Sequence, residues 1–240
     1  MSFKSFIHVL LATCLSTSLM GQAKYEEQFQ KIIEDIQANK LEKSLSNSMK
    51  IADRSSGDEK ALGHLYAAIS YRTMLDIDGY EHAHPDENLQ IEALDHYLKF
   101  EKNASAELIK KYNFPFTSGL RDITNSMVNF IHAQDYKSAS KMLKTFVKND
   151  NLNPSYILAD AAIQSMQNAD ASVQIQQFMA WTAEGANNYV LDEIDIKALT
   201  EIAHTYAYFL NKVGQGEIAN QICAKVVELG GNKEKLNSYL

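Results

Sequence analysis

From Lys24 to the end of the chain, apolar residues return every three or four positions and hardly ever every two, a regularity that restricts the chain to helices. Phe29, Ile32, Ile33 and Ile36 mark one face of a first helix. Ala139, Met142, Leu143, Phe146 and Val147 mark another, opposite a face bearing Lys137, Lys141, Lys144 and Lys148 that reads as its wet side. Proline occurs three times and glycine ten times in 240 residues, so little interrupts a helix. Twelve helical segments can be marked, with polar or glycine-bearing breaks such as Ala38-Asn39-Lys40, Ser55-Ser56-Gly57, Asn149-Asp150-Asn151, Asn168 and Gly230-Gly231. Connections this short make neighbours antiparallel. The expected fold is all-α: antiparallel helical hairpins stacked as a solenoid or bundle.

The clearest hairpin runs from Ile194 to Leu210, turns at Val213-Gly214-Gln215-Gly216 and returns from Glu217 to Leu229. Its Ala203, Tyr206, Ala207 and Leu210 are answered by Ala219 and Cys223. Ala207 and Ala219, twelve residues apart, fall where two helices must approach closely. The spacing returns in Leu158, Ala159 and Ala162 with Ala171, Ile175 and Phe178, and more loosely in Ile123, Met127 and Phe130 with Ala139, Leu143 and Phe146. A further copy, Tyr66-Ala67 answered by Ala93 and Tyr97, needs an insertion between its helices at about 76–88. This small-residue spacing resembles the tetratricopeptide repeat, a helix-turn-helix unit of about 34 residues. The chain departs from that pattern in lacking a tryptophan at the head of any first helix, in Met127 where a small residue belongs, in the late Pro154 and in unequal intervals between hairpins. The resemblance implies a degenerate array with a concave face that binds a protein or peptide.

The first residues differ from the rest. Lys4 is the only charge before Lys24, Phe6 to Met20 is mostly apolar, and Gly21-Gln22-Ala23 closes the run with small residues. That is the pattern of a secretory signal peptide over 1–23, too short for the roughly 20 residues of a spanning helix. Leu11-Ala12-Thr13-Cys14 resembles a bacterial lipobox, but Thr13 is a poor residue before a modified cysteine and the apolar run continues past Cys14. The whole chain has 23 basic and 30 acidic residues and a net charge of −7; without Lys4 the balance is −8. Such a surface repels phosphate, which argues against nucleic acid and anionic membrane as partners. Cys223 is then the lone thiol, so no disulfide staples the chain. The Gly21-Gln22 junction and the Asn- and Lys-rich composition resemble secreted proteins of the Bacteroidetes, which places the chain in the periplasm or outside the cell.

Candidate chemistry is sparse. The insertion holds His82 and His84 among five carboxylates from Asp76 to Glu87; imidazole suits zinc and carboxylates suit calcium, but Asp-x-Asp-Gly is only a fragment of a calcium loop. The plainer reading is a solvated loop whose Pro85, Asp86 and Glu87 start the next helix. Glu201 and His204 match half of a di-iron site and lack the second half. His64 and His132 read as isolated packed residues. Cys223 takes an interior helix position with no charged neighbour on its face, so it is expected to be inert. Tyr206, Tyr208 and Phe209 crowd one helix, as core or as the lining of a groove. Nucleophile elbow, phosphate loop, His-Glu-x-x-His and Cys-x-x-Cys are all missing. No residue is assigned to catalysis, to a cofactor or to a metal. The leading expectation is an exported, non-catalytic interaction or scaffold module; the alternatives are a small-molecule or metal-binding protein using the His82/His84 loop and a helical enzyme of unrecognised type.

Overall fold

A computed structural model of the protein describes residues 23–77, 80 and 88–240. The expected signal segment and most of the 76–88 insertion, His82 and His84 included, lie outside the described residues.

Twelve α-helices and no strand are present among the described residues: α1 (Ala23–Gln37), α2 (Leu41–Arg54), α3 (Gly57–Leu75), α4 (Leu89–Asn103), α5 (Ala106–Lys111), α6 (Asn113–His132), α7 (Tyr136–Asn149), α8 (Pro154–Met166), α9 (Ser172–Ala180), α10 (Glu193–Lys212), α11 (Gly216–Glu228) and α12 (Lys233–Leu236). The fold is all-α, and its many short-linked helices are compatible with a helical repeat.

Two kinds of turn recur along the chain. After α1, α6, α8 and α10 one residue adopts a left-handed conformation: Asn39 (φ 54°), Gln134 (61°), Asn168 (61°) and Gly214 (79°). In each case the next backbone N–H reaches back five residues, Lys40 to Asp35, Asp135 to Phe130, Ala169 to Gln164 and Gln215 to Leu210, at 2.8 to 2.9 Å. That closes the orphan carbonyls of the helix end in a Schellman turn. Asn and Gly suit the position because a Cβ clashes there in most residues. After α2, α4, α7 and α9 the terminating residue is extended instead: Ser55, Ala104, Asp150 and Trp181. The left-handed turn returns after α11, where Gly230 (φ 98°) lets the Gly231 N–H reach back to Val226 at 2.8 Å.

The helix starts obey local chemistry. Asn88, Ser105, Asp135, Asn153 and Asn232 each accept a backbone N–H from two or three residues on. Asp192 and Asp195 form a reciprocal capping box at α10. Pro154, late for a closing proline, is instead the first residue of α8, where its missing N–H costs nothing.

Two compact units share the chain, one ending at Ile123 and the other covering Thr124–Leu240. In the first, α3 packs against α1, α2 and α4. Its residues 61–70 are all buried, as a helix surrounded by others requires. Small residues let α2 come close: Ser44 and Ser70 share a hydrogen bond of 2.8 Å, and a Cβ on Gly63 would sit 2.7 Å from the Ala52 nitrogen. In the second unit α8 occupies the equivalent place, packed against α7, α9 and α10, while α10 also carries α11 and α12. Ala67, Ala93, Met127, Ala139, Ala159, Ala171, Ala207 and Ala219 are all buried. Val147, expected on the apolar face of α7, is 40% exposed while Phe146 beside it is fully buried, so the covered stripe is narrower than the apolar one.

Candidate functional site

Two polar clusters stand out from the apolar packing. The first lies in the α3/α4 hairpin. His64 and His96 are buried, their rings are 5.1 Å apart and their Nδ1 atoms 3.0 Å apart, a hydrogen bond in which one ring donates and the other accepts. Tyr71 stacks on His96 at 5.8 Å. Burial, assisted by the positive charge of Lys99 and Lys60, holds His64 down to about 4. Burial and the neighbouring His64 do the same to His96. Both imidazoles are thus neutral near pH 7. His64 was expected to stand alone; the structure corrects this. Its partner was legible in the hairpin register, for His64 lies three residues before Ala67 and His96 three after Ala93. In an antiparallel pair those positions meet.

The second cluster lies where α8 and α10 begin. The Asn153 amide donates to Asp195 Oδ1 at 2.6 Å, and the Tyr189 hydroxyl donates to Asp150. The Trp181 indole N–H donates to the Leu152 carbonyl at 2.7 Å. Burial raises the Asp195 carboxyl to about 6, with Asp192 adding to it against the hydrogen bond from Asn153. The carboxylates of Asp192 and Asp195 serve the first turn of α10, and Asp150 accepts from the Leu152 N–H as well as from Tyr189. Acidic side chains here are what helix N-termini favour. Each is engaged in the fold, which gives the cluster a structural role.

The remaining sequence candidates are dispersed. Glu201 pairs with Lys235 and His204 packs edge-on against Tyr239, so the Glu-x-x-His spacing serves the contact with the C-terminal turn. His132 is exposed at the end of α6. Cys223 is fully buried and burial pushes its thiol up to about 11, far from a nucleophile's range. Lys137, Lys141, Lys144 and Lys148 are all exposed. Of the three crowded aromatics, Tyr206 is core and bonds to Ser165 at 2.6 Å, Phe209 is half-buried, and Tyr208 is exposed with the Lys212 ammonium over its ring. Among the described residues no group of three or more His, Cys, Asp or Glu is placed to hold a metal ion, and no helix is long and apolar enough to cross a membrane. No family model matches the chain, and neither does any curated protein or solved structure.

Proposed function

We propose that the chain is an exported, non-catalytic interaction or scaffold module that binds a protein or peptide through a tetratricopeptide-like array of hairpins. One observation carries this reading: left-handed turns after α1, α6, α8 and α10 and extended ends after α2, α7 and α9 repeat a two-helix unit, and small residues are buried in the α8/α9 and α10/α11 pairs. The left-handed turns at Gln134 and Asn168 are 34 residues apart, the length of one tetratricopeptide unit. The contacts α1 with α3 and α8 with α10, each joining helices two apart in sequence, are those a stacked array makes. Departures from a regular period come from the α3/α4 insertion, from the extra helix α5 and from the stretch 181–192 before α10. Rigid hairpins offer surface and hold it in place, which suits recognition and supplies no chemistry. Export rests on the apolar segment ahead of Lys24.

The test is capture from an envelope extract of the cells that make the protein, with its exported form as bait. Recovery of one protein in stoichiometric amount, and its rebinding to the bait when purified, is the expected result. The reading fails if nothing is recovered in stoichiometric amount while the purified chain turns over a small molecule from the same extract.

A further inference from the structure

We infer that the His64–His96 contact is a proton-limited latch, holding α3 against α4 at neutral pH and releasing them in mild acid. The argument begins with the contact itself. A hydrogen bond between two imidazole nitrogens needs an N–H on one side and a lone pair on the other, and here the nitrogens are Nδ1 of both rings, 3.0 Å apart. The contact therefore tolerates one positive charge between the two rings. A second would bring two N–H groups head to head in a buried space, with no acceptor for either. Acid adds that second proton only if the rings part, and since one ring is on each helix, parting them opens the hairpin.

The surroundings make the latch hard to protonate. The charged groups that face the pair are Asp53 from α2, Lys60 from α3 and both Asp95 and Lys99 from α4. Lys99 is itself held by Asp95 across one helical turn, which dilutes the help Asp95 could give an imidazolium. On α1 the buried carboxylate Asp35 is taken by Lys43 at 2.9 Å. Tyr71, stacked on His96, fixes that ring without offering it a charge. Both imidazoles bind protons far more weakly here than in an unfolded chain, so acid favours any state in which they are freed. The sign is that of depressed bases: the contact is at full strength above pH 6.5 and weakens as pH falls from there toward 4. Between pH 7.5 and pH 5 the closed hairpin loses roughly thirty-fold in its favour for each proton excluded. For an exported chain the trigger is the acidity of the surroundings; that consequence rests on the export reading, whereas the latch does not.

Hydrogen exchange on the full chain, corrected for the intrinsic effect of pH, tests it. Amides of α3 and α4 should lose roughly thirty-fold protection between pH 7.5 and 5, while those of α10 and α11 keep theirs. His64→Gln removes the conflict, because an amide can turn to donate to a neutral His96 or accept from a protonated one. In that variant the acid effect should fall but not vanish, because the burial of His96 still resists its proton. Should the variant not fold, nitrogen-15 spectra of the imidazoles in the unmodified chain decide instead. Two rings that gain their second charge only together with the loss of α3 and α4 amide signals support the latch. Independent titration near 6.5 with the hairpin still protected overturns it, as does acid loosening of undiminished size in His64→Gln. Zinc added at pH 7.5 that shifts both ring signals would also overturn it, by making the pair a metal site.

Discussion

At the scale of single residues, the polar groups enclosed by the fold carry its pH dependence. Burial, with the neighbouring carboxylates of Asp192 and Asp150, raises the Asp195 carboxyl to about 6 against the hydrogen bond from the Asn153 amide. A carboxyl whose folded value is raised binds its proton more tightly in the folded state, so its penalty is absent below the unfolded value near 3.8 and complete above about 6. The shift corresponds to about 3 kcal/mol at most. Asp195→Asn removes the ionisation and keeps an oxygen able to accept from Asn153. Urea denaturation of both proteins at pH 4 and pH 8 should show the balance moving toward the variant at the higher pH by about 2 kcal/mol. An unchanged difference between the two pH values would show that Asp195 ionises freely. Residue-level legibility was uneven for a physical reason. Cys223 could be read as inert because its helix face is defined by its own neighbours in sequence. His96 was missed because its significance depends on a ring 32 residues away, on another helix.

Among elements, close approach of helices is what small residues secure, and a substitution that adds volume reads that approach directly. Ala207 on α10 and Ala219 on α11 are fully buried, whereas Ala224 on α11 is exposed. Leucine has nearly the helix propensity of alanine, so any difference among the three Ala→Leu variants reports space and not backbone preference. Ala207→Leu and Ala219→Leu should each cost about 1 to 3 kcal/mol by urea denaturation and Ala224→Leu almost nothing; equal midpoints would refute the register. Gly119 on α6 makes the same point in the other unit. A Cβ there would lie 2.0 Å from the hydroxyl of Tyr97 on α4, a hydroxyl that is buried without a hydrogen-bond partner. Gly119→Ala should therefore destabilise by about 1 to 3 kcal/mol, and Tyr97→Phe should recover little of it in the double variant, because the ring carbon that bore the hydroxyl would still lie 2.1 Å from the added Cβ. Melting temperatures of the four proteins complete that cycle; full recovery would mean that the hydroxyl alone makes the close contact. Turns were legible where Asn39, Asn168, Gly214 and Gly230 advertised a left-handed residue. Gln134 makes the same turn without such a residue, so no local signal announced it. The exposed Val147 shows the opposite limit, since periodicity describes a face and not where its cover stops.

Over the whole molecule, the depressed His64 and His96 lie in the first compact unit and the raised Asp195 in the second, and their contributions run in opposite senses as pH falls. The all-α architecture was readable because periodicity repeats in every segment and errors average out. The export reading rests on residues 1–23, whose composition is unlike that of the helix that follows. In α1, Ile32, Ile33 and Ile36 turn inward while Glu26, Glu27, Lys31 and Glu34 face water. Phe6 to Met20 carries no Asp, Glu, Lys or Arg to make a wet face. Left attached to a folded chain, that run would expose apolar surface at about 25 cal/mol for every Å² kept from burial, whereas removal after Ala23 leaves a charged, helix-forming start at Lys24. The exported protein is therefore expected to begin within a residue or two of Gln22 or Lys24 when its N-terminus is sequenced. A product retaining Met1 would mean that the segment stays as an anchor. One beginning at a lipidated Cys14 would tie the chain to a membrane surface, and in either case the soluble exported module proposed above would have to be abandoned.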